Sequence, residues 1–465
     1  MRVRSRLVML FLVGMLTSPT GYADAQSVGP YYVIQAGDTL SGVARAFGTT
    51  VQRLIQANDI ADPSVIFPGM EITLPGFEGI EGELVLREVQ YGENLSSISV
   101  RHGIPVADLV RLNRIVNPER VFAGQRFILP AVQADDPETG WVSLRLPQPG
   151  ESRLGLAVEA SINPWHIEGL ASDGPSAWIM PGTPVILPAA EPLSDALPDP
   201  VISVELRPVP LVQGHTTVLQ VAANRVVSVE GMLGEATLHF FPSDQQRFTA
   251  LQGIHAMEEP GLQDLLIRFH DEGGQELYAY SQPVLLEAGG YGFESVNGVP
   301  EETVNPETID MEQAQIDAAL APVTPQKYWE GTFQYPSDYY TDSFISIFGT
   351  RRSYNWGALS YYHTGVDFYA GRGVSILASA AGVVASTGEQ VVRGNYTYID
   401  HGWGVYSGYF HQSEILVDVG DVVEPGQVIG LVGNTGRSTG AHLHWEIWVG
   451  GVPVDPLDWV ETPYP

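Results

Sequence analysis

Two stretches of this chain are copies of one another, so each must fold as the same small unit. Tyr31 to Pro75 reads YYVIQAGDTLSGVARAFGTTVQRLIQANDIADPSVIFPGMEITLP, and Leu86 to Pro130 reads LREVQYGENLSSISVRHGIPVADLVRLNRIVNPERVFAGQRFILP. The same offset of 38 positions carries Gly37 to Pro75 and Gly92 to Pro130. A short β-like run opens the first copy. Leu40, Val43, Ala44 and Phe47 then fall at i, i+3, i+4 and i+7, the apolar stripe of a helix. Asp38 and Thr39 precede that stripe, where an N-cap belongs. A second stripe (Val51, Leu54, Ile55, Asn58), a turn at Pro68-Gly69 and a strand from Glu71 to Leu74 complete a βααβ unit. A third span, Gly150 to Pro188, keeps the offset, and Met180 to Pro188 echoes the closing strand. There, Arg153 replaces the opening leucine, Ala171 stands in place of Asn58 and Asn113, and Pro164 falls near the start of the second helix, where proline is allowed.

This pattern resembles the LysM domain, a module that binds the N-acetylglucosamine backbone of peptidoglycan or chitin. Gly37-Asp38-Thr39-Leu40 matches that family's opening, and Gly92-Glu93-Asn94-Leu95 is a looser version. The resemblance implies LysM domains at 31–76 and 86–131 and a degenerate LysM-like unit at 141–189. It also implies sugar contacts from the first loop and from the loop before the last strand. Those positions are Gly37, Asp38, Thr39 and Ile66, and in the second copy Gly92, Glu93, Asn94 and Val121. A shallow sugar groove binds weakly, so linked copies gain mainly by avidity.

The formal net charge of -31 is spread along the chain and argues against nucleic acid or an anionic membrane as partner. Arg2, Arg4 and Arg6, an apolar run from Leu7 to Leu16 and Ala23-Asp24-Ala25 have the layout of a secretory signal peptide over 1–25. That run is shorter than the roughly 20 residues of a spanning helix. The expected location is secreted or extracytoplasmic, with no membrane contact beyond the signal segment. The chain has no cysteine, which excludes disulfides, thiolate catalysis and cysteine-type zinc sites.

Residues 189–200 read as a Pro- and acid-rich linker. From 201 to 288, short alternating runs such as Val218–Val221, Leu265–Phe269 and Val284–Leu286 predict an all-β, immunoglobulin-like sandwich acting as a rigid spacer. Residues 289–328 read as a second, acidic linker with a helical stretch around 306–321. The two linkers are the natural hinges.

From Trp329 to Pro465, glycine-broken strands predict an all-β domain carrying three chemical stretches: His363-Thr-Gly-Val-Asp367, Phe410-His411 and His442-Leu-His444. In a strand of period two, His442 and His444 share a face while Leu443 points to the core. A bend at Gly365 brings His363 and Asp367 to one centre. Imidazoles with a carboxylate suit a borderline-soft cation such as Zn2+. Five such groups exceed what a structural site needs. A catalytic zinc keeps about three protein ligands and an open place, leaving spare histidines for proton transfer.

These residues resemble the lysostaphin-type (LytM-like) zinc metalloendopeptidases that cut peptidoglycan peptides. The match covers Phe348-Gly-Thr-Arg-Arg352, HTGVDF at His363–Phe368, IDHGWG at Ile399–Gly404, GYFHQS at Gly408–Ser413 and GDVVEPGQVIGLVGNTGRSTGAHLHWEI at Gly420–Ile447. The resemblance implies that His363, Asp367 and His444 are zinc ligands and that His411 and His442 flank the reacting water and carbonyl. Phe410 and Trp445 depart from that family's usual residues without removing a ligand. The loop Ser353–Tyr362 is expected to rim the cleft, and Asn355 or the acidic linker is a candidate to reach the metal and hold the enzyme latent. The expected protein is multidomain, a secreted peptidoglycan hydrolase held on glycan by LysM modules while its peptidase domain cuts stem or cross-bridge peptides. The alternative is a catalytically inactive activator of a separate amidase. Such activators have lost ligand residues, whereas this chain keeps all five.

Overall fold

The computed structural model describes residues 29–77, 80, 82–102, 104–118, 120–131, 142–145, 152–159, 168–169, 185–188, 200–243, 246–337 and 344–465. The expected leader at 1–25, most of the third repeat and nearly all of the 189–200 linker lie outside them. The chain divides into two compact units, Met1–Val85 and Leu86–Pro465.

In the first unit, strand Pro30–Val33 pairs antiparallel with Glu71–Thr73, and helices Leu40–Ala46 and Val51–Ala57 lie between them in sequence. Thr39 and Thr50 cap these helices, their side chains accepting from Gly42 N–H and Arg53 N–H. Leu40, Val43, Ala44, Phe47 and Leu54 are buried, as the stripe requires. Asn58 ties the second helix to the closing strand. Its amide donates to Leu54 O (2.9 Å) and Thr73 O (3.0 Å), and its carbonyl accepts from Thr73 N–H at 2.7 Å. Asn113 repeats these bonds with Leu109 and Ile128 in the second copy. In the third repeat, Val142–Arg145 pairs antiparallel with Val185–Pro188.

The second unit begins with the second βααβ copy. Two sheets follow that share one core. A four-stranded sheet runs in the order Phe241–Pro242, Arg247–Gly253, Thr216–Ala223, Val201–Arg207. A five-stranded sheet runs Ala236–Leu238, Ser228–Leu233, Gly261–His270, Glu276–Glu287, Leu211–Val212. Leu206, Leu219 and Val221 of the first sheet meet Leu265, Ile267 and Leu286 of the second.

The C-terminal region is a largely all-β body on a ten-stranded sheet. Its central path runs Val366–Tyr369, His442–Val449, Val405–Ile415, Gly394–Gly402, Gly382–Gln390. Leu443, Trp445 and Ile447 are wholly buried on one face of the His442–Val449 strand, leaving His442, His444 and Glu446 on the other. The two-sheet body is fastened to this one. Trp459 Nε1 donates to Thr216 Oγ1 (2.9 Å), His215 Nδ1 meets Asp458 Oδ2 (2.5 Å), and Phe241 stacks on Trp403.

Residues 289–328, expected as a hinge, are built into the same body. Strand Phe293–Val296 pairs parallel with Arg351–Tyr354, which pairs antiparallel with Leu359–Tyr362. Helix Pro306–Leu320, capped by Asn305, buries Ile316 and Leu320 against Tyr398, Tyr406, Phe410 and Trp448. Glu312 is buried too, accepting from the amides of Val391 and Val392 beside Arg393. The acidity that suggests a solvated linker is thus partly consumed by internal donors.

Candidate metal centre and its groove

Antiparallel pairing sets Asp367 directly opposite His444, and Tyr369 opposite His442. Directly opposed side chains share a face within a few ångströms. His363 precedes the Val366–Tyr369 strand across a bend at Gly365, where an added Cβ would meet Trp445 O at 2.2 Å. The result is a triangle: His363 Nε2 to Asp367 Oδ1 3.0 Å, His363 Nε2 to His444 Nδ1 2.9 Å, and His444 Nδ1 to Asp367 Oδ1 2.7 Å. All three residues are buried.

His411 arrives differently. The Val405–Ile415 strand shifts register between its pairings Tyr409↔Thr397 and Gln412↔Asn395, and His411 takes a left-handed backbone, φ 60°. A bulge of this kind re-aims a side chain. Regular alternation would send neighbours to opposite faces, yet here Phe410 and His411 both line one groove. His442 completes the set, with Nε2 3.6 Å from Asp367 Oδ1.

Each of the four imidazoles is anchored by its outer nitrogen. His363 Nδ1–H donates to Ile347 O (3.0 Å), His411 Nδ1–H to Thr435 O (2.7 Å), His442 Nδ1–H to Gly440 O (2.8 Å) and His444 Nε2–H to Glu446 Oε1 (2.9 Å). These partners assign the tautomers and turn the inner nitrogens to the centre. Two of the acceptors, Thr435 O and Gly440 O, come from the loop 433–441. Gly436 in that loop has φ +75°, and a Cβ there would meet Gly394 N at 2.4 Å. Glycine therefore lets the loop lie flat on the 391–394 turn.

Asp367 is held from behind. Its Oδ2 accepts from Arg352 at 2.7 Å, and Arg352 Nε in turn donates to Glu294. Burial pushes the His363 imidazole down to about 4 against the pull of Asp367. Burial, joined by His442 and His444, holds His411 well below its ordinary value. Burial also acts to depress His444, but its hydrogen bonds to the Asp367 and Glu446 carboxylates carry it above. Burial would raise the Asp367 carboxyl, yet His363, His444 and Arg352 hold it well below the usual range.

The donor set fits a divalent cation. His363 Nε2, His444 Nδ1 and Asp367 Oδ1 all lie within 3.0 Å of one another, and a cation is what would hold three such donor atoms together. Two nitrogens and one carboxylate oxygen, each oriented by an outer partner, are a zinc-type set. The groove above them has a volume of about 370 Å³.

The sequence profile of peptidase family M23 matches residues 361–456, and the LysM profile matches 32–75 and 88–130. This chain carries an M23 peptidase domain and two LysM domains. Peptidoglycan DD-endopeptidase ShyA of Vibrio cholerae is 46% identical over 95 residues, 20% of this chain and 22% of that protein. The DD-carboxypeptidase/endopeptidase Mpg of Neisseria meningitidis is 45% identical over 103 residues, 22% of this chain and 24% of that one. The chain thus matches under a quarter of the length of either relative. A solved structure from Pseudomonas aeruginosa, described as peptidase M23, is 25% identical, covers 54% of this chain and 95% of its own, and superposes with a TM-score of 0.41.

In the first LysM domain Gly37, at φ 92°, is exposed, and Ile66 is half-buried between exposed Val65 and Phe67. Asp38 and Thr39 carry structural bonds there. Asp38 accepts from Tyr32 Oη and Gln35 N–H, both at 2.8 Å, while Thr39 caps a helix. The second LysM domain departs from expectation. Gly92 N–H donates to Gln282 Oε1 (2.7 Å), and Gln282 Nε2 donates to Glu93 O (3.0 Å) and reaches Val121 O (3.5 Å). Ala123 N–H donates to Pro283 O (3.0 Å), and Leu285 N–H to Ala123 O (2.9 Å). Glu93 is 2% exposed and ion-paired with Arg87 and Arg101. Glu93 is therefore buried, and Gly92 and Val121 are half-buried against the Glu276–Glu287 strand. Asn94 alone is exposed, and it caps a helix through Ser97 N–H (3.0 Å). The signal lay at Tyr91, which stands where the first copy has Ala36. Its hydroxyl donates to Leu265 O (2.9 Å), and its ring meets Tyr280 edge-on.

The rim loop supplies Tyr354 and Tyr362 to the groove. Asn355 does not reach the metal site: it accepts from Gly298 N–H (2.9 Å) and donates to Val299 O (2.9 Å). Sequence reasoning assigned no role to Glu446, Arg352 or Glu294. Glu446 was findable, two residues beyond His444 on the same strand face. Glu294 carries no local signal.

Proposed function

We propose that this chain is a peptidoglycan hydrolase, a zinc-dependent endopeptidase acting on wall peptides outside the cytoplasm. The observation that carries this reading is the triangle of His363, Asp367 and His444 under an open groove, with two more imidazoles beside it. His363, Asp367 and His444 would hold the ion, which when bound supplies Lewis acidity toward water and a peptide carbonyl. His411 and His442 line the groove beside the triangle, where one would accept the proton of the attacking water and return it to the leaving amine, and the other would stand against the developing negative charge. Asp367, kept ionised by Arg352, offsets positive charge at the centre.

The first LysM domain would supply glycan contact through the exposed loops around Gly37 and Ile66, and the second would be a docking module. The two-sheet body is assigned as an immunoglobulin-like sandwich that fixes the second LysM domain to the peptidase. The arginine-led apolar leader supports export. Among the described residues no helix is long and apolar enough to cross a membrane. The amidase-activator reading is not favoured, because all five groups are present and converge.

The test uses the full chain and isolated sacculi. Soluble muropeptides should appear with zinc, vanish with chelator and return on re-addition, and mass spectrometry should show peptide rather than glycan cleavage. His363→Ala should release none. Wall left intact by zinc-loaded protein, or equal release by His363→Ala, refutes the reading.

A further inference from the structure

Three guanidinium groups line the groove: Arg352, Arg393 and Arg437. Arg352 is shared between Asp367 and Glu294. Arg393 lies 3.8 Å from the buried Glu312 carboxylate. Arg437 differs from both. Among the described residues, no carboxylate oxygen comes within 4.0 Å of it. Among the described residues its guanidinium makes one hydrogen bond, to Thr303 O at 3.3 Å, and its central carbon sits 4.5 Å from the centre of the Tyr354 ring. A carbonyl and an aromatic face fix the fork in place and leave most of its donors without an acceptor among the described residues.

The surroundings do not neutralise this charge. Burial, with Arg393 and Arg352 close by, pushes the Arg437 guanidinium below its ordinary value. Acidic residues outnumber basic ones 54 to 23 in the chain, so an arginine on a groove wall without a carboxylate partner is a local exception. Its position is also telling. The next residue, Ser438, places Oγ 3.1 Å from His442 Nδ1, so Arg437 borders the proposed catalytic pair.

We propose that Arg437, backed by Arg393, is a carboxylate-binding subsite that selects peptides bearing a free carboxylate close to the scissile bond. This rests on the hydrolase reading and adds a substrate class to it. A planar fork pinned at one edge is matched to a carboxylate and offers little to a neutral amide. The carboxylate can come from a peptide C-terminus or from a side chain, and each source is tested separately.

The experiment takes the zinc-loaded full chain and two pairs of synthetic stem peptides. One pair ends in a C-terminal carboxylate or its carboxamide; the other carries a side-chain carboxylate or its carboxamide beside the scissile bond. In at least one pair, kcat/KM should favour the acid by about tenfold or more, the scale of a charge-assisted hydrogen bond. Arg437→Gln should bring that ratio close to one, and Arg437→Lys should retain part of it. Wild-type ratios near one in both pairs overturn the proposal, as does an Arg437→Gln protein that loses activity on acid and amide in equal proportion. If wild type cleaves no peptide, the hydrolase reading fails by itself. The subsite is then judged by calorimetric titration with the same peptides: an acid preference lost in Arg437→Gln supports it, and equal binding overturns it.

Discussion

Replacing Glu294 by Gln should weaken metal binding although Glu294 touches no proposed ligand directly. Its carboxylate lies on Arg352 Nε, and Arg352 Nη2 lies 2.7 Å from Asp367 Oδ2. The Arg352 and Asp367 side chains are 10% and 8% exposed, and that of Glu294 is 33% exposed. A charge-assisted hydrogen bond in a dry site is worth about 1.5–3 kcal/mol, and partial exposure reduces that, so a stability loss of about 1–2 kcal/mol is expected. The glutamine keeps the shape and removes the charge. Arg352 then directs its whole charge at Asp367 and draws electron density from the oxygen that would meet the metal. Losing a group that orients a ligand typically costs about 10–100-fold in metal affinity, and the lower end applies here because Arg352 remains. Competition against a chromophoric zinc chelator gives the affinity, and thermal unfolding with and without zinc separates it from fold stability. The zinc-dependent rise in Tm should shrink more than the metal-free Tm falls. Equal zinc affinity in Glu294→Gln and wild type would refute the relay.

Three further outcomes are expected. Glu312→Ala strands the Val391 and Val392 amides and leaves Arg393 unpaired, so urea unfolding should show a loss of about 3 kcal/mol; a change under about 0.5 kcal/mol would mean the helix is not anchored there. His401 sits between Ala381 O (2.7 Å) and Ser407 Oγ (2.8 Å), and burial takes its imidazole down to about 4. Because the folded value lies below the unfolded one, its contribution is complete above about pH 6.5 and falls by about 1.4 kcal/mol per unit down to pH 4. In chelator-treated protein, His401→Gln should flatten that slope, and parallel slopes would contradict the assignment. Phe67→Ser, on an exposed loop of the first LysM domain, should lower co-sedimentation with sacculi several-fold. The aligned Phe122→Ser should instead lower the unfolding midpoint and keep retention within about twofold; the reverse pattern would return the glycan site to the second domain.

Much of the centre was readable because strand chemistry is local. His-Leu-His in an apolar run alternates by necessity, and Leu443, Trp445 and Ile447 being wholly buried leaves His442 and His444 no other face. The His363–Asp367 bend was similarly marked by glycine. His411 was visible as a residue and not as a conformation, since its left-handed backbone depends on a register shift against the Gly394–Gly402 strand. Helix 306–320 could be foreseen from its spacing, but its docking onto Tyr398, Tyr406 and Trp448 could not, because the partners lie far away in sequence. Glu294 is further still from prediction. A four-residue strand pairing in parallel with residues 58 positions later has no periodic signature. In the second LysM domain the repeat itself misled: identical spacing suggested identical exposure, and one aromatic substitution, Tyr91 for Ala36, marks the copy that is buried against a neighbour.

The wrapping of residues 289–328 decides where this enzyme body can be dissected. A recombinant piece starting at Trp329 would hold every proposed ligand yet shed Glu294, Glu312, Ile316 and Leu320, baring an oily face at Tyr398, Tyr406 and Trp448. Insoluble or self-associating material is the expected yield. Cutting upstream of Val201 instead keeps the Trp459–Thr216 and His215–Asp458 fastenings, so the smallest well-behaved catalytic piece should be nearly three times as long as the profile match alone would suggest.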